Sequence, residues 1–354
     1  MIKYLGSKRT LLGALVGVAA AVPELRSVFD VFSGTSRVGH AFKRAGYRVV
    51  SNDHNAYAHT LAQCYVAADR EGVEAEARAL LRELSAVPAE RGYFTETFCE
   101  RSRFFQPHNG ARVDAIREAI EARALPEPLR SVALTSLMEA ADRVDSTCGV
   151  QMAYVKRWAA RSFNDLALRM PDLLDAVPGG PCEALCLDAN AAVREVETDI
   201  AYIDPPYNQH SYLGNYHVWE SLVRWDKPDV YGVACKRADV RERKSHYNSR
   251  RRHRAAFEDL VAHTRAKLLI VSFNDEGFLT RADLEAMLSE RGPVTVLTHD
   301  FKRYVGAQIG VFNPSGERVG EVSHLRNREH IYVVPTAAGR RAVAGIETRL
   351  AGLG

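Results

Sequence analysis

Short apolar runs recur along the chain, and several of them end in an acidic or amide residue. They occupy residues 27–32, 47–53, 183–188, 198–203, 267–274, 293–297 and 330–334. Runs of this length, rich in Val, Ile and Phe, are typical of strands within a sheet that is covered on both faces. The runs at 267–274 and 293–297 predict buried parallel strands, and the run at 330–334 predicts a last strand. The pattern therefore predicts an α/β fold.

A long helical stretch interrupts this pattern. Residues 56–178 are rich in Ala, Glu and Arg and favour helices at about 56–86, 111–124, 128–143 and 150–175. Asn109-Gly110 is a turn signal before the second of these helices. Because the stretch is too long for a β–α connection, we predict a mostly helical subdomain at 56–178. It would be inserted into a sheet domain made of residues 1–55 and 179–354.

Composition sets limits on the kind of protein. The 354 residues can bury a full core, and 46% hydrophobic with 26% charged residues is ordinary for a globular protein. No apolar run approaches the roughly 20 residues that span a bilayer. The stretch from Leu11 to Val22 follows basic residues, as in a signal peptide. Since Gly13 and Gly17 interrupt it, we interpret it as a helix of the fold.

The six cysteines form no C-x-x-C pair, which argues against a disulfide framework or a zinc knuckle. We interpret Cys182 and Cys186 as buried thiols beside a strand. A reducing, cytoplasmic compartment is therefore expected, and no residue pattern predicts a metal site.

The tetrapeptide Asp204-Pro205-Pro206-Tyr207 follows the run at 198–203 directly. Proline lacks a backbone N–H and fixes its own φ, so strand pairing should stop here. A carboxylate, free carbonyls and a ring then lie at the carboxyl end of a strand, where open α/β sheets bind ligands. Asp204 and the Pro205 carbonyl could accept the two protons of an exocyclic amino group while Tyr207 stacks on the base. A structural Pro-Pro loop is the alternative interpretation.

A turn of small residues at 33–39 lies between the run at 27–32 and a helical pattern at 40–46. This arrangement lets a ligand approach backbone N–H groups closely, although only Gly34 and Gly39 are present and G-x-G-x-x-G is absent. Asp53 follows about 20 residues after the turn, where an acid can accept hydrogen bonds from ribose hydroxyls. The first 55 residues thus predict half of a doubly wound domain that binds a nucleoside. A structural turn and a solvated acid are the alternatives.

Three strands that we expect to be neighbours end in carboxylates, namely Asp53, Asp188 and Asp204. Positive charge is concentrated elsewhere, although the net charge of the whole chain is only +3. Between Lys236 and Arg254 there are nine Lys or Arg residues against two acids. Such a tract favours phosphate contacts, and a solvated surface loop is the alternative.

Six segments together resemble the S-adenosylmethionine-dependent DNA methyltransferases that act on the adenine amino group, in the deoxyadenosine methylase-like family with the alpha order of motifs. The tetrapeptide is the most specific of them, whereas the turn at 33–36 is less glycine-rich than in many relatives. The segments are Tyr4-Leu5-Gly6-Ser7-Lys8, Asp30-Val31-Phe32-Ser33-Gly34-Thr35, Asn52-Asp53, Leu187-Asp188, Asp204-Pro205-Pro206-Tyr207 and Val271-Ser272-Phe273-Asn274-Asp275. The resemblance implies a Rossmann-like methyltransferase fold. Its sheet would be mixed, mostly parallel and seven-stranded, with helices on both faces and a target-recognition subdomain at 56–178.

The resemblance also implies a cofactor, a substrate and site residues. S-adenosylmethionine would be the cofactor, double-stranded DNA the substrate, and a cognate restriction endonuclease a candidate partner. The catalytic residues would be Asp204, Pro205, Pro206 and Tyr207. Asp53 would hold the ribose, and Asp188 the adenine of the cofactor. The cofactor residues would be Tyr4, Gly6, Lys8, Asp30, Phe32, Ser33, Gly34, Thr35, Asp53, Asp188 and Asp204.

DNA would contact the polar, aromatic loop at 208–217 and the basic tract at 236–254. The expected contacts are Tyr212, Lys236, Arg237, Arg243, Lys244, Arg250, Arg251 and Arg252. Direct methyl transfer would require the target adenine to be flipped out of the duplex. The alternatives are an enzyme acting on adenine in RNA or on a protein glutamine, and a nucleic-acid-binding protein that kept the fold without the chemistry.

Overall fold

The computed structural model describes residues 1–155, 157–302 and 326–339. The strands are β1 (Ser27–Asp30), β2 (Arg48–Asn52), β3 (Glu183–Leu185), β4 (Glu197–Ile203), β5 (Val230–Tyr231), β6 (Lys236–Arg237), β7 (Arg265–Asn274), β8 (Thr295–Lys302) and β9 (Arg326–Pro335). The α-helices are α1 (Leu12–Ala20), α2 (Arg37–Arg44), α3 (Ala56–Ala62), α4 (Arg70–Ala86), α5 (Tyr93–Thr95), α6 (Pro107–Ala122), α7 (Leu129–Arg143), α8 (Ala189–Glu195), α9 (Tyr212–Asn215), α10 (His217–Arg224), α11 (His253–His263) and α12 (Arg281–Ser289). Short 3₁₀ or π turns lie at Lys8–Thr10, Gln63–Ala67, Glu96–Glu100, Ala160–Phe163, Ala238–Arg241, His246–Asn248 and Ala337–Gly339.

Seven strands form one sheet in the order β3-β2-β1-β4-β7-β9-β8, and β5 pairs with β6 in a separate ribbon. The first five strands in this order are parallel, whereas β9 is antiparallel to both β7 and β8. The predicted mixed, mostly parallel seven-stranded sheet is confirmed. Because β9 runs the other way, its amino end lies at the edge where the parallel strands end, with Glu329 opposite Asn274.

Alternate residues of each strand face two separate hydrophobic clusters. Val28 and Leu268 belong to a cluster that also holds side chains of α1, α2 and the helices between residues 56 and 143. Their neighbours Phe29 and Leu269 belong to a second cluster with α8, α11 and α12. Since strand side chains alternate between faces, a sheet covered by helices on both faces needs apolar residues at successive positions. This requirement explains the continuous apolar runs in the sequence.

One predicted strand has a different environment from the one expected. The run at 293–297 is not a buried parallel strand, because β8 begins at Thr295 and, within the described residues, pairs only with the antiparallel β9. Residues 294–297 are half-buried rather than buried. An edge position leaves one side of the strand without a partner, and a short apolar run carries no signal that separates edge from centre.

The predicted helical stretches at 56–86, 111–124 and 128–143 are confirmed as α3, α4, α6 and α7 with the π turn between the first two. Side chains of these helices, among them Leu61, Leu80, Ile116 and Leu134, share the first cluster with the sheet. The helices of the insertion therefore pack directly on one face of the sheet. The division into domains at 55 and 178 stays a prediction.

The predicted turn at Asn109-Gly110 is wrong, because both residues lie inside α6, which begins at Pro107. The amide of Asn109 donates to the carbonyls of Ser162 and Asn164 instead of forming a turn. A Cβ on Gly110 would lie 2.4 Å from the sulfur of Cys99. Both residues are thus used for close packing, which overrides their local preference.

The predicted helix at 150–175 is also wrong. Within the described residues of this stretch the one helical element is the 3₁₀ turn Ala160–Phe163. Backbone groups elsewhere in this stretch bond to side chains of neighbouring helices. The Leu166 N–H donates to Asn109 Oδ1, and the Ser136 hydroxyl bonds to the N–H and the carbonyl of Arg169. These contacts satisfy the backbone without a helix.

Cys182 is buried, whereas Cys186 is exposed just beyond the outer strand β3, so the prediction of two buried thiols holds for the first only. The stretch from Leu12 to Ala20 forms α1, as predicted. The described part of the chain holds no helix of the length and apolarity that a membrane span requires. Nor does it hold a group of three or more His, Cys, Asp or Glu side chains placed to bind a metal ion.

Candidate active site

A cavity lies at the carboxyl ends of β1, β2 and β4 and is closed in part by the N-terminal residues and α9. It encloses about 810 Å³ including its open mouth. Among the predicted cofactor residues, Asp188 is the exception that does not line it. Those that do are Tyr4, Gly6, Lys8, Asp30, Phe32, Ser33, Gly34, Thr35, Asp53 and Asp204. Residues predicted from separate segments of the sequence therefore meet in one cavity.

The turn after β1 directs backbone N–H groups toward the next strand. Gly34 and Ser36 both adopt positive φ, at 51° and 60°. The N–H of Ser33 donates to the carbonyl of Asn52 at 2.8 Å. A Cβ on Gly34 would lie 3.2 Å from the ring of Tyr4. The left-handed backbone and the close ring both favour glycine at this position.

Asp53 is oriented by three N–H groups from its own neighbourhood. Its Oδ2 accepts from the Gly34 N–H at 3.1 Å, and its Oδ1 accepts from the Asn55 N–H and side-chain amide at 2.9 and 3.0 Å. A carboxylate has about four lone pairs, so three such bonds leave acceptor capacity for a hydroxyl donor. The half-buried Asp53 at the cavity wall therefore fits the predicted contact with ribose.

Asn52 joins the ends of three strands. Its buried amide donates to the carbonyls of Val31 and Leu187, both at 3.2 Å, and its Oδ1 accepts from the Leu187 N–H at 3.0 Å. These bonds fix the ends of β1 and β3 relative to β2. Asn52 thus acts on the shape of the cavity rather than as part of its wall.

Asp30, at the end of β1, is 1% exposed. Its Oδ2 accepts from the Gly39 N–H at 3.0 Å, and burial raises the pKa of this carboxyl to about 8. Its Oδ1 has no hydrogen-bond partner within the described residues, and the same holds for Ser33 Oγ and Asn55 Oδ1. All three residues line the cavity. Buried polar atoms without partners are uncommon, so this wall fits a polar ligand.

Asp204 belongs to a cluster of charged and phenolic groups. Lys8 Nζ lies 3.0 Å from Asp204 Oδ1 and also contacts Glu329 and the Tyr207 hydroxyl. The Tyr207 hydroxyl donates to Asp204 Oδ1 at 2.6 Å and lies 3.3 Å from Glu329 Oε1. Both partners of Asp204 use Oδ1, and no described residue bonds to Oδ2. The second oxygen thus remains available as an acceptor.

Burial and charge shift the two central groups of this cluster. Burial raises the pKa of the Asp204 carboxyl above its ordinary value; the Lys8 ammonium opposes the shift, and the charge of Glu329 adds to it. For Lys8, burial lowers the pKa, but Asp204 and Glu329 outweigh burial and the net shift is upward. Lys8 and Glu329 are each 6% exposed. The ammonium is therefore held charged between two carboxylates inside the protein.

The remaining residues of the tetrapeptide lie differently from one another. Pro206 lines the cavity, whereas Pro205 and Tyr207 do not. The ring of Tyr207 packs against Phe273, with ring centroids 4.8 Å apart and the planes inclined at 54°. Its stacking on a target base stays a prediction.

A stack of tyrosines lies beside the cavity. The ring of Tyr4 is stacked with Tyr216 at 4.5 Å and with Tyr212 at 5.1 Å between centroids, and its hydroxyl lies 3.1 Å from that of Tyr57. The N-terminal residues Tyr4, Gly6 and Lys8 line the cavity, and their contact with the cofactor stays a prediction. Tyr212, predicted to face DNA, lines the cavity together with Tyr4.

Asp188 does not share the cavity with the other two strand-end acids. It is exposed and begins α8, where its Oδ1 accepts from the Asn190 N–H at 3.0 Å. The structure therefore gives Asp188 a helix-capping role, and its contact with the cofactor stays a prediction.

The basic tract is divided into buried and exposed parts. Arg237 is 1% exposed and bonds bidentately to Asp226, at 2.7 Å for both contacts, and also to Asp239. The structure does not support a phosphate contact for Arg237, because its guanidinium is already paired inside the protein. Arg243 lines the cavity and lies 2.9 Å from the buried Glu220.

The other predicted phosphate contacts remain accessible. Lys236 is half-buried, and the exposed residues are Lys244, Arg250, Arg251 and Arg252. The sequence does not separate these residues from Arg237, because the pairing of Arg237 with Asp226 and Asp239 depends on how the chain folds.

Glu329 is one site residue that the sequence did not predict. It lies in a polar stretch just before the apolar run at 330–334. Glu329 lies beside the carboxyl ends of the parallel strands because β9 is antiparallel to β7. The sequence does not reveal that direction. An acid that precedes a last strand is a usable signal only when this direction is known.

Comparison with known proteins identifies relatives along most of the chain. Residues 4–278 match the family model of the D12 class N6 adenine-specific DNA methyltransferases. The chain is 29% identical over 87% of its length to the modification methylase StsI of Streptococcus sanguinis, and 30% identical over 82% to the type II methyltransferase M.FokI of Planomicrobium okeanokoites. These alignments cover 50% and 47% of the two relatives, so the chain spans about half of their length.

A third relative matches over nearly its whole length. The type II methyltransferase M.NlaIII of Neisseria lactamica is 28% identical over 92% of this chain and 98% of its own length. The family match includes the turn after β1, the insertion and the tetrapeptide after β4. The resemblance noted in the sequence is thereby confirmed, and the chain belongs to the D12 class N6 adenine-specific DNA methyltransferases.

Proposed function

We propose that this protein transfers a methyl group from S-adenosylmethionine to the N6 amino group of adenine in double-stranded DNA. The observation that carries the proposal is the position of Asp204-Pro205-Pro206-Tyr207 at the end of β4, where Asp204 shares one cavity with Asp53. The family supports the same chemistry, and its members as a class imply the use of S-adenosylmethionine.

The cavity wall around β1 and β2 fits the cofactor. S-adenosylmethionine, when bound, supplies a methyl group activated by a positively charged sulfur. We assign its ribose hydroxyls to Asp53, whose carboxylate retains acceptor capacity. The unpartnered atoms Asp30 Oδ1, Ser33 Oγ and Asn55 Oδ1 offer further polar contacts in the same wall. These assignments extend the predicted cofactor set by Asn55.

Asp204 and the Pro205 carbonyl would act on the target amino group. Oδ2 of Asp204 and the carbonyl oxygen of Pro205 have no donor within the described residues, so both can accept an N–H of adenine. Accepting these protons draws the amino lone pair out of the ring and places a carboxylate beside the nitrogen as it becomes positive. The cofactor would supply the methyl group and keep the C–S electron pair on sulfur, and the proton lost by the amino nitrogen would pass through the Asp204 carboxylate to solvent.

The target adenine must leave the duplex to reach the cavity beside Asp204. Flipping the adenine out costs a few kcal/mol, and stacking on an aromatic ring returns roughly 1–3 kcal/mol. Tyr207 and Tyr212 are the candidate rings, and the exposed Arg250, Arg251 and Arg252 are candidate phosphate contacts. We assign target recognition to the helical insertion at 56–178. A cognate restriction endonuclease is the partner that a type II system would add.

Modification-sensitive sequencing tests the proposal. Genomic DNA is compared from a host without adenine methylases that expresses the wild-type chain, Asp204→Ala or the control Asp199→Asn. Asp199 lies at the amino end of β4 and pairs with Lys267, far along the strand from the tetrapeptide. Methyladenine at one recurring motif with wild type and control, but not with Asp204→Ala, is the expected result. No mark with any chain contradicts the proposal, and analysis of RNA nucleosides from the same cells then separates an RNA enzyme from a binding protein.

A further inference from the structure

Three ionisable side chains from distant parts of the chain meet beside the tetrapeptide. Lys8 comes from the N-terminal 3₁₀ turn, Asp204 follows β4, and Glu329 lies on β9. The Lys8 ammonium contacts both carboxylates, and its pair with Glu329 joins residues 321 positions apart. Neither Lys8 nor Glu329 exposes more than 6% of its surface. A buried arrangement of this kind is costly unless its charges are matched.

The cluster is not neutral. When its three groups are ionised, two carboxylates face one ammonium, so one negative charge is in excess. If Glu329 were absent, the ammonium would pair with Asp204 alone and the pair would carry no net charge. The reaction proposed above develops positive charge on the amino nitrogen, and a neutral pair attracts that charge less than a negative cluster does.

Contacts also fix the direction of the Asp204 carboxylate. Lys8 and the Tyr207 hydroxyl both bind Oδ1, and Glu329 lies within reach of both of these partners, at 3.3 Å from the hydroxyl. Glu329 therefore holds the two groups that hold Asp204. Oδ2 is left without a partner within the described residues.

We propose that Glu329 is a positioning residue for methyl transfer: it shares the Lys8 ammonium with Asp204, so that the cluster keeps one negative charge in excess and Asp204 presents Oδ2 to the target amino group. The inference rests on the proposed function and deepens it. It assigns to the antiparallel strand β9 a part in a site otherwise built by the parallel strands and the N-terminal segment.

The groups around Asp204 set the sign of its pH dependence. Besides Lys8 and Glu329, the titratable groups that interact with it are Asp30 on β1, Tyr202 on β4, Tyr207 after β4 and Tyr212 on α9. Glu329 raises the pKa of Asp204, and Lys8 lowers it. Glu329→Gln should therefore lower this pKa and move the acidic limb of the transfer rate to lower pH. Lys8→Met should raise it and move the limb to higher pH.

The test combines kinetics with a measurement that does not depend on turnover. Single-turnover transfer from labelled S-adenosylmethionine to unmethylated duplex DNA is followed across pH. The carboxyl ¹³C resonance of Asp204, identified by its loss in Asp204→Asn, is titrated in the cofactor-free protein. For Glu329→Gln we expect the rate to fall about tenfold or more while cofactor affinity changes less than about threefold. Its Asp204 titration should move to lower pH, and Glu329→Asp should restore part of both effects.

Two controls separate the possible failures. Asp199→Asn removes a carboxylate near the amino end of β4, away from the active site, and should change neither the rate nor the titration of Asp204. An unchanged rate and titration in Glu329→Gln overturns the inference, as does a slower rate with weaker cofactor binding and an unchanged titration, which marks a purely structural role. If Glu329→Gln does not fold, Lys8→Met decides, and an unchanged titration there overturns the inference. If the wild type transfers no methyl group, the proposed function fails, while the titration still reports on the cluster.

Discussion

The carboxylates of Asp53 and Asp204 follow β2 and β4, the two strands that flank β1, and they are held in different ways. At the Asp53 end of the cavity, N–H groups of Gly34 and Asn55 orient the acid, and these residues lie within 19 positions of it. At the Asp204 end, the partners are an ammonium and a phenol, and Glu329 holds both.

The difference separates two tasks. Neutral amide N–H donors orient Asp53 without adding an ionisable group, which suits a contact that is the same before and after the reaction. Side-chain charges set the acidity and the local potential, which suits a group that must respond as charge develops. We therefore expect changes at the Asp53 end to alter binding and changes at the Asp204 end to alter the rate.

The largest effect is expected for Asp204→Ala. Removing the acceptor beside the amino group should slow transfer by about 10²- to 10⁴-fold and leave the affinity for S-adenosylmethionine within about threefold of wild type. Single-turnover kinetics and calorimetry measure the two quantities. A variant that retains its rate but loses the cofactor would reverse the assignment of the two ends.

Asp53→Ala should show the opposite pattern. Losing charge-assisted hydrogen bonds costs about 1.5–3 kcal/mol, so cofactor affinity should fall about 10- to 100-fold. The rate at saturating cofactor should stay close to that of wild type, since Asp204 and its partners are untouched. Asp53→Asn, which keeps the shape and one acceptor, is the matched variant and should lose less affinity. Equal loss of rate and affinity in Asp53→Ala would show that the two ends are not separable.

Gly39→Ala tests the close packing of α2 on β1 and β2 near the Asp53 end of the cavity. A Cβ there would lie 2.6 Å from Ser51 Oγ and 3.3 Å from Asp30 Oδ2, so we expect a loss of about 1–3 kcal/mol in the free energy of unfolding. The control is Gly13→Ala in α1, where nothing lies within 4 Å and a gain of up to about 1 kcal/mol is expected. Denaturant titration measures both. Equal stability of the two variants would mean that α2 can shift away from β1 at little cost.

The smallest effect per residue is expected outside both ends. Replacing the exposed Arg250, Arg251 and Arg252 with Ala should weaken DNA binding and reduce its salt dependence by about one unit of slope for each phosphate that is no longer neutralised. The cofactor affinity should not change. The control is Arg265→Ala. Arg265 is exposed at the amino end of β7, away from the active site. A triple variant with an unchanged salt slope would show that this part of the basic tract is only a solvated surface.

The Asp53 end was largely predictable because its determinants are local. A strand, a turn with glycine and a second strand ending in an acid lie within the first 55 residues. Each has a local sequence signal, namely an apolar run, a glycine at a tight turn, and an acid directly after an apolar run. The end of β4 at the tetrapeptide was predictable for the same reason, since two prolines remove backbone N–H donors and disfavour further strand pairing. Asp188 shares the strand-end signal but caps a helix, because the same side chain serves either role.

The other differences come from tertiary contacts that a local pattern does not show. Glu329 joins Lys8 only because β9 is antiparallel, and Arg237 is buried only because Asp226 and Asp239 converge on it. Within the insertion, Asn109-Gly110 has the local preference of a turn but packs inside a helix. In each case tertiary partners override a local signal, and a single sequence does not show which partners will meet.

The pairing of β9 between β7 and β8 also bears on how this chain folds during synthesis. A nascent chain that has emerged through β7 already holds the Gly34 and Asn55 N–H groups that bond to Asp53, yet β7 lacks its partner β9 and Lys8 lacks Glu329. Strand β9 must then enter between β7 and β8, and this step is slow because its contacts are distant in sequence. We expect the ability to bind the cofactor to arise before the ability to transfer a methyl group, so that incomplete chains remain inactive toward DNA.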